Sequence, residues 1–192
     1  MKNRHPKNSS TPIEVATLGG GCFWCLEAVF KQLDGVIKVE PGYSGGDITD
    51  PTYEQVSTGR TGHAEVVQVT FYPALISFHE ILEVFFEMHD PTTSNRQGND
   101  VGTQYRSVIF FHDETQKHIA EHMIAELEDA HKYDRPIVTQ IEAFTEFYQA
   151  EAYHYDYYQR NPQQGYCRVI ISPKLVKLRS KFLEKLKGQK EE

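Results

Sequence analysis

Apolar and polar positions along the chain form short periodic segments separated by glycine- and proline-containing breaks. Residues 13–18 read as a strand that stops at Gly19-Gly20-Gly21. Phe23, Leu26, Phe30 and Leu33 then recur at helical spacing, and Gly35 ends that helix. Val36 opens a further strand, expected to pass into a loop through Tyr43-Ser44-Gly45-Gly46. Residues 65–72 alternate, with Val67, Val69 and Phe71 on one face and Pro73 as the stop. Ser77 and Glu80 form a capping-box pair ahead of the stripe Phe78, Ile81, Leu82 and Phe85. Residues 90–104 read as a polar loop and 107–111 as a strand. Asp113 is placed to cap a helix whose buried face holds Ile119, Met123 and Leu127. Residues 137–141 and 169–171 read as further strands. Residues 144–164, dense in tyrosine, show no usable period. Ser172-Pro173 is expected to open a last helix with the stripe Leu175, Leu178, Phe182 and Leu186. Mixed strands and helices in 192 residues predict one α/β (or α+β) domain over residues 13–192, a two-layer sandwich with long site-forming loops.

Composition narrows the partners. A net charge of −7 gives the chain no general attraction to nucleic acid or anionic membranes. No apolar run approaches a membrane span, and residues 1–12, polar throughout, read as a disordered lead-in. These features predict a cytoplasmic protein, in a compartment that keeps thiols reduced. Three cysteines, Cys22, Cys25 and Cys167, then argue against a structural disulfide framework.

Cys22 carries the most suggestive chemistry. It follows a glycine turn and starts a helix, where free amide groups and the helix dipole stabilise a thiolate. The bland alternative is an inert buried thiol. A phosphate cradle is weakly supported, since the stretch has neither a Lys-Ser/Thr pair nor a G-x-G-x-x-G pattern. Cys22-x-x-Cys25 as half of a four-thiolate zinc site lacks a fourth cysteine. As a thioredoxin-like CxxC it stays open, because Cys25 lies within reach of Cys22 on a helix. Phe23 and Trp24 between them suit a pocket for an apolar group, or ordinary core filling.

Gly20-Gly21-Cys22-Phe23-Trp24 resembles the signature of the A-class peptide methionine sulfoxide reductases. Further matching stretches follow in order: Pro51–Glu54, Thr61–Glu65, His89–Thr92, Asn95–Asp100, Gly102–Ser107, Phe147–Glu151 and Asn161-Pro162 to Gly165-Tyr166-Cys167. The likeness runs from about Ile13 to Cys167 and implies a ferredoxin-like core. It implies that Cys22 attacks the sulfoxide sulfur and becomes a sulfenic acid, which a second thiol then condenses with. It implies Glu65 as the proton donor, kept protonated in an apolar pocket. Tyr53 and Tyr105 match hydroxyl donors to the oxygen, and Asp100 matches a carboxylate that contacts substrate polar groups through water. Phe23 and Trp24 would hold the substrate methyl and select the S-epimer. Cys167 matches the position of the resolving thiol, and Cys25, where many relatives have glycine, is the alternative. Thioredoxin is the implied reductant; no flavin or nicotinamide fingerprint is visible, so no cofactor is expected.

Two other signals are weighed against this. His118-Ile119-Ala120-Glu121-His122 reads H-x-x-E-H, but the core stripe of its helix leaves both histidines on the solvated side, so no metal is expected. The lysines from Lys174 onward read as a solvated helix face. A thiol redox sensor built on Cys22 and Cys25 is the non-enzymatic alternative.

Overall fold

The computed structural model describes residues 12–188. Residues 1–11, which make up nearly all of the expected lead-in, lie outside the described residues. Strands β1 (Glu14–Gly20), β2 (Val36–Ser44), β3 (Ala64–Phe71) and β6 (Ser107–Phe111) join β7 (Gln140–Ala143) and β8 (Tyr148–Gln149) in one sheet, ordered β7-β6-β1-β3-β2-β8. All neighbours are antiparallel except β6 and β7. Helices α1 (Phe23–Phe30) and α3 (Phe78–Met88) connect the four central strands as βαββαβ, giving the split arrangement of a ferredoxin-like core. A short helix, α2 (Tyr53–Ser57), interrupts the β2–β3 connection, and α4 (Glu114–Asp129) makes the crossover between β6 and parallel β7.

The two-residue alternation of β3 sorts its side chains. Val67, Val69 and Phe71 enter the main core with Ala16 and Leu18 of β1 and the apolar faces of α1 and α3. Ala64 and Val66 join Val108 and Phe110 in a smaller cluster, against which Phe144 and Phe147 pack. Glu65 belongs to the same row as Val67, so the strand's pleat turns this carboxyl toward the helix layer. The capping box of α3 forms as expected, with Glu80 N–H on Ser77 Oγ and Ser77 N–H on Glu80. Asp113 likewise caps α4 through Gln116 N–H.

Several expectations are corrected. The strand opened by Val36 runs through Tyr43 and Ser44, because both pair with β3, opposite Glu65 and Ala64. The polar loop contains a small hairpin, β4 (Arg96–Gln97) with β5 (Asp100–Val101). The strand expected at 137–141 starts at Gln140, where pairing with β6 begins. Residues 169–171 are not a strand: Cys167–Ile171 form a π-helical turn leading into α6 (Ser172–Lys181). Cys167, Ile171, Leu175 and Leu178 are buried at helical spacing, whereas Val169 is 70% exposed, so this is one helical face. Ser172-Pro173 accordingly continues a helical path rather than opening one. Its stripe ends with α6 at Lys181, and Leu186 returns to bridge Leu33. The tyrosine-rich region carries β8 and α5 (Tyr157–Arg160).

Candidate active site

Gly21 has φ of +94°, a left-handed backbone that glycine accepts readily, and a Cβ there would sit 2.6 Å from Gln97. That turn places Cys22 at the N-cap of α1, and its side chain makes no capping bond. The cap comes from elsewhere: Phe23 N–H donates to Glu65 Oε2 at 3.0 Å. One hydrogen bond therefore ties the start of α1 to the start of β3 and sets the carboxyl next to Cys22. Glu65 is buried, and burial drives its pKa up to about 8, with Asp100 and Cys25 adding to the rise against the Phe23 N–H. At neutral pH it holds its proton and can donate it.

The two thiols of α1 differ from the expectation of a stabilised Cys22 thiolate. Burial, a hydrogen bond with Cys25 and the proximity of Glu65 push Cys22 well up, against the backbone N–H of Trp24. The same hydrogen bond pulls Cys25 down to about 7 in spite of burial, helped by Lys174 and Tyr166. Two adjacent sulfurs cannot both ionise cheaply, so the pair carries one thiolate at a time. Cys167 is buried beyond Cys25; burial and that neighbour raise it. All three cysteines are free.

An aromatic enclosure surrounds the start of α1. Phe23 is wholly buried, 4.9 Å from the His154 ring and 5.8 Å from Tyr43. Trp24 stacks on Tyr157 at 3.6 Å, meets Tyr166 edge-on and donates its indole N–H to His154 Nδ1 at 3.0 Å. Tyr53, first residue of α2, lies against His154 at 4.6 Å. A capping box between Thr52 and Gln55 starts α2, and Glu151 accepts both Tyr53 N–H and the Tyr43 hydroxyl. Burial, then the nearby Glu65, keeps Tyr53 and Tyr105 protonated.

On the Cys25 side of Cys22 opens a cavity of about 330 Å³, within the range for small ligands. Asp100 and Tyr166 are in its wall, the Tyr166 hydroxyl donating to Asp100 at 2.7 Å and standing 3.8 Å from Cys25 Sγ. The fold thus gathers Cys22, Phe23, Trp24, Cys25, Tyr53, Glu65, Asp100 and Tyr105 around one helix start, with Cys167 behind it. Tyr166 joins them from the matching stretch Gly165-Tyr166-Cys167, and His154 and Tyr157 join them with no motif of their own in the sequence. Their only sequence signal is the tyrosine density of 144–164, which has no period to interpret. His118 and His122 project to solvent and face Glu121 and Glu126. Among the described residues no cluster of three or more His, Cys, Asp or Glu is arranged to hold a metal ion, and no helix is long and apolar enough to cross a membrane.

Comparison with known proteins agrees with this geometry. Residues 14–186 match the family described as peptide methionine sulfoxide reductase. Peptide methionine sulfoxide reductase MsrA of Saccharolobus solfataricus is 58% identical over 91% of this chain and 98% of its own. A protein of the same name from Thermus thermophilus is 54% identical over 89% and 96%. The reduced form of Mxr1 from Saccharomyces cerevisiae superposes with a TM-score of 0.76 at 38% identity, covering 84% of this chain and 92% of that one. Mxr1 has also been solved in complex with Trx2, at a TM-score of 0.55 and 29% identity, covering 79% and 91%. Sequence, fold and the arrangement around Cys22 agree: the chain belongs to the peptide methionine sulfoxide reductase family.

Proposed function

We propose that this chain reduces methionine S-sulfoxide to methionine at Cys22, repairing oxidised methionine in proteins or as the free amino acid. The observation that carries this reading is the hydrogen bond from Phe23 N–H to Glu65, which fixes a protonated carboxyl beside a cysteine and the rings of Phe23 and Trp24. A proton passes from Cys22 to the neighbouring Cys25 sulfur. The Cys22 thiolate then attacks the sulfoxide sulfur while Glu65 gives its proton to the oxygen. Tyr53 and Tyr105 steady that oxygen, Phe23 and Trp24 enclose the methyl, and Asp100 contacts the substrate's polar groups. The hydroxyl then passes from the methionine sulfur to the Cys22 sulfur as the sulfur–sulfur bond of the adduct breaks, so methionine leaves and Cys22 retains the oxygen as a sulfenic acid. Water then restores the Glu65 proton.

For the second step the sequence resemblance favours Cys167, and the nearness of Cys25, whose backbone N–H donates to the Cys22 carbonyl at 3.1 Å, supports Cys25 ahead of it. Cys25 attacks Cys22, a Cys22–Cys25 disulfide forms and the oxygen departs as water. A thioredoxin dithiol reduces that disulfide and becomes a disulfide itself, consistent with the Mxr1–Trx2 complex among the relatives. A cytoplasmic setting suits a site whose thiols must return to the reduced state. Peptide mapping after one turnover on methionine S-sulfoxide, with free thiols blocked by acid quench, checks the assignment. Cys22 joined to Cys25 is expected; a dominant Cys22–Cys167 link would restore Cys167 as the resolving thiol.

A further inference from the structure

The cavity beside the two sulfurs has one cationic residue in its wall, Lys174, and one carboxylate, Asp100. A sulfoxide sulfur seated at Cys22 has two carbon substituents. With the methyl against Phe23 and Trp24, as the reductase reading has it, the chain leading to the α-carbon enters the cavity, two methylenes from the sulfur. Groups on that α-carbon then come within reach of the cavity's charged residues. Lys174 is held by one hydrogen bond, from Nζ to the carbonyl of Met88 at 2.9 Å, which fixes the ammonium at the end of α3. An ammonium has two further N–H donors to offer. Asp100 is oriented by the Tyr166 hydroxyl. Two opposite charges in one small cavity match the two charges of a free amino acid.

We propose that Lys174 binds the α-carboxylate of the substrate, so that this chain favours sulfoxides with a free carboxylate, as in free methionine sulfoxide or a C-terminal residue, over internal ones. The inference rests on the reductase reading above and concerns the half of the substrate that does not react. Lys174 also acts electrostatically on Cys25, and a role confined to that thiolate would slow all substrates alike. The test therefore reads a ratio. The full chain and its Lys174→Met and Lys174→Arg variants are assayed on N-acetylmethionine S-sulfoxide and on its N-methylamide, which lacks the carboxylate. In Lys174→Met the carboxylate-to-amide ratio of kcat/KM should fall about tenfold, the scale of one hydrogen bond to a charged group. The loss should sit in KM, and Lys174→Arg should recover most of it. A ratio equal to that of the unmodified chain overturns the inference, however far the individual rates fall. No turnover of either sulfoxide by the unmodified chain would instead contradict the reductase reading itself, and this inference with it.

Discussion

Cys22→Ser is expected to abolish reduction of methionine sulfoxide, by on the order of 10⁴-fold or more, while leaving the fold in place. A hydroxyl is far less nucleophilic than a thiolate at neutral pH, and it has no sulfenic acid chemistry with which to retain the oxygen. Loss of structure is an unsuitable explanation for such a result. Cys22 is the N-cap of α1 and makes no capping bond, and serine is among the preferred residues at that position. Circular dichroism and thermal unfolding should therefore match the unmodified chain, with the serine variant equal or slightly more stable. Retained turnover in a folded serine variant would remove Cys22 from the mechanism.

Glu65→Gln is expected to lower kcat by about 10²–10⁴-fold, the usual contribution of a positioned proton donor. Glutamine preserves the volume and can still accept from Phe23 N–H, so the α1 cap survives while the proton source is lost. The pH dependence gives a second signature. In the unmodified chain kcat/KM should rise with the thiolate near pH 7 and fall as Glu65 ionises near pH 8. The variant should lose the alkaline fall. Stability follows the same ionisation. A carboxyl whose pKa is raised from 4.5 to about 8 on folding contributes fully below 4.5 and loses that contribution as pH rises to about 8. Glu65→Gln should therefore gain stability relative to the unmodified chain between those values, as measured by urea unfolding at several pH values. Unchanged turnover at saturating substrate would take Glu65 out of the reaction.

The parts legible in the sequence are those governed by local chemistry. Ser77 with Glu80, Asp113 with Gln116, and the alternation of Val67, Val69 and Phe71 each encode an element through contacts a few residues apart. The start of α1 is visible for the same reason. Where sequence and structure part, the cause is a partner distant in the chain. Tyr43 and Ser44 are strand only because Ala64 and Glu65 pair with them. Residues 169–171 are β-branched and apolar, yet they have no strand beside them and complete the buried face that continues through Leu175 and Leu178.

The site divides along the same line. Cys22, Phe23 and Trp24 form one contiguous stretch, and the family resemblance adds Tyr53, Glu65, Asp100 and Tyr105. By residue type alone Glu65 would be a surface charge at a strand start; the pleat of β3 buries it instead. His154 and Tyr157 orient Trp24 from about 130 residues away in sequence, and no short-range pattern announces such a contact. Cys25 has two meanings in the sequence, as a departure from relatives and as half of a CxxC. Its place one helical turn from Cys22, with its N–H on the Cys22 carbonyl, favours a part in the chemistry over a passive one.

The most direct test of a cysteine-based, epimer-selective reductase is a dithiothreitol-coupled assay of the full chain on separated methionine S- and R-sulfoxides. Methionine should form from the S-epimer at a rate far above that from the R-epimer, as the proposed seating of the methyl at Phe23 and Trp24 with the oxygen at Glu65 requires. Equal rates on the two epimers, or methionine from neither, would contradict a reductase of this kind.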